Sequence, residues 1–431
     1  MARYDRIAPL TAPTRARAFP AWLTLRDLEG RERDVELGRR ARLRFLAIRP
    51  VRRLLRRGID RVPLDSYERQ IEGVREELGH LSARDPERAR LAEYLHRIRQ
   101  RTPAALAAAA LELGEVAEAS GHTHAAEEYY LTSLELAEAY DLRADRTRAL
   151  RHLGRVYGVQ DRWQESESHF RRSAELAQQA GDRTQWAQAM HGLAALHRRR
   201  GDPSQGRRIL EETFERGRQW DEPTVVAAAA AGLVVAELEL GNPERALEHG
   251  WTAVRLLPDP EERARVLHEV GVALTRLGLY VAAERCFALV AERAADGALR
   301  LRAKGQHALV PACAGDADVF RERRRRVLQA AADMRPDAAA LADLHLELGR
   351  GCLVVGDVDF ARDHLRDAIG LARRERRGEV LPKAEELLTT LERVAGGGAV
   401  SRPRPVPAGA VAQRIAAEIE SLGEVLVPAS S

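Results

Sequence analysis

A chain of 431 residues with 45% hydrophobic and only 5% aromatic content, rich in Ala and Leu, has the material for a continuous core of close-packed helices rather than sheets. Its 69 basic and 65 acidic side chains leave a net charge of +4, which argues against bulk electrostatic binding to nucleic acid. Three scattered cysteines (Cys286, Cys313, Cys352) with no Cys-x-x-Cys pair argue against a disulfide scaffold or a thiolate zinc site and fit a reducing cytoplasm.

The first ten residues, MARYDRIAPL, hold no apolar run of the signal-peptide kind, and Pro9, Pro13 and Pro20 keep residues 1–32 irregular. A basic helical segment is expected over 33–57, bent at Pro50. Leu37, Ala41, Phe45, Ile48, Val51 and Leu55 form one stripe, and nine arginines occupy much of the rest. Helices follow at about 64–81 and 87–101, the second opened by Asp85-Pro86, a cap and a first-turn proline. Residues 1–103 thus read as an N-terminal helical region outside the pattern that comes next. The scarcity of lysine (Lys304 and Lys383 alone) suggests GC-rich bacterial coding.

From 104 to 394 a unit of two amphipathic helices and a tight turn recurs about every 40 residues. A small side chain is expected where the helices of a hairpin cross, at Gly114, Gly154, Ala194, Gly271 and Gly349, with Val234 and Ala308 in the same column. Seven residues on stand the turns: Gly121, Asp161, Gly201, Gly241, Gly278, Gly315 and Gly356. Five further on come Ala126, Ala246, Ala283 and Ala361, with Ser166, Gly206 and Phe320 in the remaining units. Asp202 and Asn242, each before a proline, are expected to cap second helices. Tyr130, Phe170 and Phe287, with Leu210 and Leu365 as substitutes, plug the gaps between units, while Gly250 and Arg324 interrupt that column. The apolar run Val225 to Ala236 is too short to span a bilayer and falls in phase with the repeats. A helix at 381–394 would close the array. GGGAVSRPRPVPAG (396–409) reads as a linker, and Val411, Ile415, Ile419 and Leu422 mark a short tail helix within the last segment, 395–431.

The stretches LELGEVAEASGHTHAAEEYY (111–130), LGRVYGVQDRWQESESHF (153–170) and VGVALTRLGLYVAAERCF (270–287) resemble the tetratricopeptide repeat, in the long form of about 40 residues rather than about 34. The first-helix Trp of the family is missing. The resemblance implies an all-α fold: a right-handed superhelical solenoid of about seven helical hairpins, following the N-terminal helical region. It also implies a concave groove lined by first-helix residues. These are Arg148, Arg151 and Arg155 in the second unit; Gln188, His191, Arg198 and Arg199 in the third; Val235 and Leu238 in the fourth; and Arg265, His268 and Arg276 in the fifth. A basic wall beside an apolar floor suits an extended peptide with an acidic residue or a terminal carboxylate.

Signs of catalysis are poor. Neither lysine completes a phosphate-binding loop, and Gly349-x-Gly351 with Gly356 lies inside a helix pattern with no strand before it. His122 and His124 flank a turn and could hold a metal, but no second Cys, His or carboxylate set has the spacing to complete a site, and His191 and His197, six apart on one helix, lack the i, i+4 geometry of two ligands. The expectation is a cytoplasmic protein without catalytic residue, metal, cofactor or small-molecule substrate, acting as a scaffold or adaptor for a protein or peptide. The alternative is a peptide-responsive signalling regulator resembling Rap-type tetratricopeptide proteins. A nucleic-acid or membrane role through the 33–57 arginines ranks third.

Overall fold

The computed structural model describes residues 47, 51, 65–82, 85–100, 102–334, 336–374, 380–395 and 404–422. The expectations for residues 1–32, for most of the basic segment and for linker residues 396–403 fall outside the described residues. From that basic segment, Ala47 and Val51 are fully buried.

Among the described residues there are eighteen α-helices and no strand. Two come first, α1 (Asp65–Leu78) and α2 (Pro86–Gln100). Seven hairpins follow: α3 (Pro103–Ala119) with α4 (Thr123–Ala139), α5 (Arg143–Val159) with α6 (Trp163–Ala180), α7 (Arg183–Arg199) with α8 (Pro203–Gln219), and α9 (Pro223–Glu239) with α10 (Pro243–Leu256). The last three are α11 (Pro260–Arg276) with α12 (Tyr280–Arg293), α13 (Gly297–Ala314) with α14 (Ala317–Met334), and α15 (Ala338–Val355) with α16 (Val358–Arg374). Helices α17 (Val380–Ala395) and α18 (Ala410–Leu422) end the described chain. It divides into two compact units, residues 1–196 and 197–431.

Each hairpin turn is fixed by one left-handed residue. All seven expected positions have positive φ, from 60° at Asp161 to 95° at Gly315. Six are glycine, the residue for which this conformation carries no Cβ penalty. Three residues beyond the last helical residue the chain bonds back on itself: the N–H groups of His122, Arg162 and Asp202 donate to the carbonyls of Ala117, Tyr157 and His197. Those bonds satisfy the orphaned carbonyls of the helix end. Asp202 caps α8 through the Gln205 amide at 2.9 Å. Asn242, expected to act likewise, does not. Its amide nitrogen donates to Glu237 Oε2 at 2.8 Å, and no side-chain cap bond forms on α10.

Close crossings explain the small residues. A Cβ on Gly114 would stand 2.3 Å from the Tyr130 ring, one on Gly154 3.0 Å from Phe170, and one on Gly271 2.7 Å from Phe287. Gly349 faces Leu365 at 2.9 Å in the same way. The second column is sealed as well: Ala126, Ala246, Ala283 and Ala361 have no exposed surface, nor has Ala194 in the first. In the sixth hairpin the roles exchange. Phe320 occupies the small-residue column and its ring lies over Gly351, whose Cβ would be 2.4 Å away.

In the first unit, Ile71, Val74, Tyr94 and Ile98 of α1 and α2 share one core with Leu106, Leu113 and Tyr130 of the first hairpin. In the second unit, α17 buries Val380, Ala384 and Leu391 while Lys383, Glu385 and Glu386 stay in water. The tail helix α18 packs on the second helices α10 and α12. Its buried stripe is Ala412, Ile415, Ala416 and Ile419; Ile415 and Ile419 lie where expected, while Val411 faces solvent and Ala412 and Ala416 take up the rest of the contact. Alanine wins at those positions because it lets the backbones come close. Polar bonds fix the approach: Val406 N–H to the Arg276 carbonyl (2.9 Å), Gly409 N–H to Glu244 (3.1 Å) and Trp251 Nε1–H to Glu418 (3.0 Å).

Substituting Leu for Gly154 is expected to cost about 1–3 kcal/mol by overpacking against Phe170, read as a lower urea midpoint with unchanged helicity. Ile419→Ala is expected to cost about 2–5 kcal/mol. A tail merely resting on the surface would lose far less in the same melt.

Candidate partner-binding face

Helix α5 turns Leu150, Leu153, Val156 and Tyr157 inward, and its three- and four-residue spacing leaves Arg148, Arg151 and Arg155 along the other side. The three arginines differ in what they hold. Arg148 pairs with Asp145 one turn back. Arg155 reaches the neighbouring first helix, α3, where its Nε and Nη2 take both oxygens of Glu118 at 2.5 and 2.7 Å. Glu118 also accepts from Tyr130 Oη at 2.8 Å.

Arg151 is less fully used. Its Nη2 lies 3.1 Å from His152 Nε2, while Arg155 Nη2 lies 2.9 Å from His152 Nδ1. Burial first, then the charges of Arg151, Arg155 and Arg148, push His152 down to about 2, so the ring is neutral. A neutral imidazole has one lone-pair nitrogen, so it accepts from one arginine only. Arg151 Nε is buried and has no acceptor among the described residues. Burial, and then Arg155, hold the Arg151 guanidinium below its ordinary value, with Glu115 opposing. The result is a half-buried cation with donors to spare. On α7, Gln188 is exposed and His191 half-buried.

The second unit is more evenly balanced. Arg198 grips Glu239 through two bonds of 2.7 Å. Arg199 and Arg265 are exposed and Val235 half-buried. Two expected groove residues are not on a surface. Leu238 is 5% exposed because its position is turned toward the next hairpin, and it belongs to the core. His268 is 3% exposed, with its ring 5.5 Å from that of Phe287 and Nδ1 3.1 Å from Glu269. Arg276 donates to the Leu238 carbonyl, and burial followed by the Arg350 charge lowers its pKa. Glu269 lies below the ordinary carboxylate value: burial acts the other way, but the His268 hydrogen bond with Arg302 and Arg198 outweighs it. The arginines of α14 are also engaged. Arg321 holds Asp357, Arg323 holds Glu284, and Arg324 is buried with Nη1 2.9 Å from Cys352 Sγ and its guanidinium 4.0 Å from the Phe360 ring.

Sequence reasoning missed Glu115, Glu118, Glu239 and Glu269, the acids interleaved with the arginines. A signal existed. Glu118 and Arg155 are 37 residues apart, Arg198 and Glu239 are 41, so partners occupy nearly equivalent positions of successive units. It also missed His345, His364 and Asp367, which converge across the hairpin of α15 and α16. No helix among the described residues is long and apolar enough to cross a membrane.

His152 ties this face to pH. The unfolded chain protonates that ring near 6.5, the folded chain only near 2, so stability present above pH 6.5 falls as pH drops through that window. Urea midpoints at pH 7.5 and 5 are expected to differ less for His152→Gln than for the wild type.

A model of the tetratricopeptide repeat matches residues 105–179 and 145–219. None of the curated proteins matches the chain. Among solved structures, the apo form of RapI is 12% identical, with 78% of this chain and 99% of that one covered and a TM-score of 0.50. The apo quorum sensor NprR from B. thuringiensis is 15% identical, with 87% and 97% covered and a TM-score of 0.47. A tetratricopeptide repeat protein from Parabacteroides merdae is 15% identical, with 66% and 98% covered and a TM-score of 0.45. Residues 105–219 carry the tetratricopeptide-repeat signature, and a helical hairpin of the same build recurs as far as Arg374.

Proposed function

We propose that the protein is a non-catalytic adaptor that holds a partner protein or peptide along its first helices. An acidic side chain or a terminal carboxylate of the partner would be taken by Arg151. One observation carries this reading: Arg151 keeps unspent donors in a half-buried setting, where a charge-assisted bond is worth more than at an exposed rim. Arg148 and Arg155 already hold acids and serve to shape the face. Catalysis finds little support in the cysteines, since burial pushes the Cys286 and Cys352 thiols up, away from a reactive thiolate.

A peptide-responsive regulator is the second reading, and Tyr130 favours it. Its ring lies in the core that includes α1 and α2, while its hydroxyl bonds the Glu118 that Arg155 holds. A ligand competing for Arg155 would therefore disturb a group packed within the N-terminal core.

In affinity capture from native lysate, Arg151→Glu is expected to reduce partner recovery by about tenfold or more with helicity intact. Arg151→Lys should fall between, since an ammonium lacks the guanidinium fork. Capture undiminished by Arg151→Glu would remove this face from the account. Hydrogen exchange in residues 65–100, slowed or hastened by the captured partner, distinguishes regulator from passive adaptor.

A further inference from the structure

A cluster in the seventh hairpin plays no part in the face described above. His345 on α15 and His364 on α16 point their Nδ1 atoms at each other across 3.1 Å, with ring centres 5.2 Å apart. Asp367, one turn beyond His364 on the same helix, places Oδ2 3.6 Å from His345 Nδ1. One donor atom from each of the three lies within 4.8 Å of the other two.

Zinc-class ions bind imidazole nitrogen and carboxylate oxygen at about 2.0–2.1 Å, so two ligands at a tetrahedral angle stand roughly 3.3 Å apart. The observed 3.1 and 3.6 Å bracket that spacing. Accessibility is graded as entry of an ion requires: His364 is 8% exposed, the His345 side chain 16% and Asp367 63%. Packing therefore fixes the imidazoles, and the carboxylate stands at the water edge. The Arg324 charge opposes a dication and limits affinity, whereas Asp367 offsets part of the ion's charge. The donor set of two imidazoles and a carboxylate selects zinc, cobalt, nickel or copper over calcium and magnesium.

We propose that His345, His364 and Asp367 form a site for one divalent ion of the zinc class, completed by water, that ties α15 to α16. Without the ion, one histidine donates a hydrogen bond to the other. With it, that proton moves to Nε2 and both Nδ1 atoms face the metal.

Full-length protein stripped with chelator and titrated with cobalt(II) is expected to develop the visible band of a tetrahedral site, saturating at one equivalent. Zinc should displace cobalt and raise the melting temperature. His345→Gln and His364→Gln abolish the band, and Asp367→Asn, an exposed change that leaves the fold alone, weakens zinc binding by about tenfold or more. Equal uptake by wild type, His345→Gln and Asp367→Asn means an adventitious ion only. No stoichiometric uptake at micromolar zinc means a plain hydrogen-bonded histidine pair. Either result overturns the proposal.

Discussion

Nesting of rings over absent side chains is the constraint on which the hairpins depend. Tyr130, Phe170 and Phe287 lie so close to Gly114, Gly154 and Gly271 that even a methyl group would collide with them. That closeness does two things at once. It brings the two helices of those hairpins close together, and in the first unit it helps fix the rotation that sets the polar sides of α3 and α5 side by side. The arginines and glutamates of α3 and α5 meet because the crossing beneath them allows no other rotation.

Charge on this protein is organised by the repeat rather than by the chain's total. Salt links such as Glu118–Arg155, Arg198–Glu239 and Arg323–Glu284 join elements one unit apart and turn many arginines into cross-ties. Partly exposed links of this kind are individually weak. Their effect is to pair many of the arginines with acids of a neighbouring hairpin. On α5, Arg151 differs from Arg148 and Arg155 in holding no acid, with its Nε buried and unpartnered.

Much of the architecture was legible in the sequence because steric demands are local and periodic. The seven turn positions and the small-residue columns follow from spacing alone, since a left-handed turn and a close crossing each admit few residue types. The candidate face was legible only in outline. Arg148, Arg151 and Arg155 share one side of α5 by their spacing, yet the pairing that separates Arg151 from the others depends on Glu118, Asp145 and His152 together. Leu238 and His268 were misplaced because a helix position beside the groove and one beneath it differ by a single 100° step. Val411 and Asn242 failed for a related reason: Ala412 and Ala416 pack closer than a larger side chain could, and the buried Glu237 claimed the amide meant for a cap. The His345–His364 encounter left no local trace, being created by two helices whose register is set elsewhere.

The bond between Trp251 and Glu418 joins residues 167 apart in sequence, and Ile415 and Ile419 complete a core begun near Ala227. Within that unit each hairpin packs on its neighbours in sequence, whereas the apolar surface of α10 and α12 is covered by α18, a helix distant in sequence. The second unit is therefore closed by a contact of long sequence separation as well as by neighbouring hairpins, and such contacts cost more loop entropy to form than those within a hairpin.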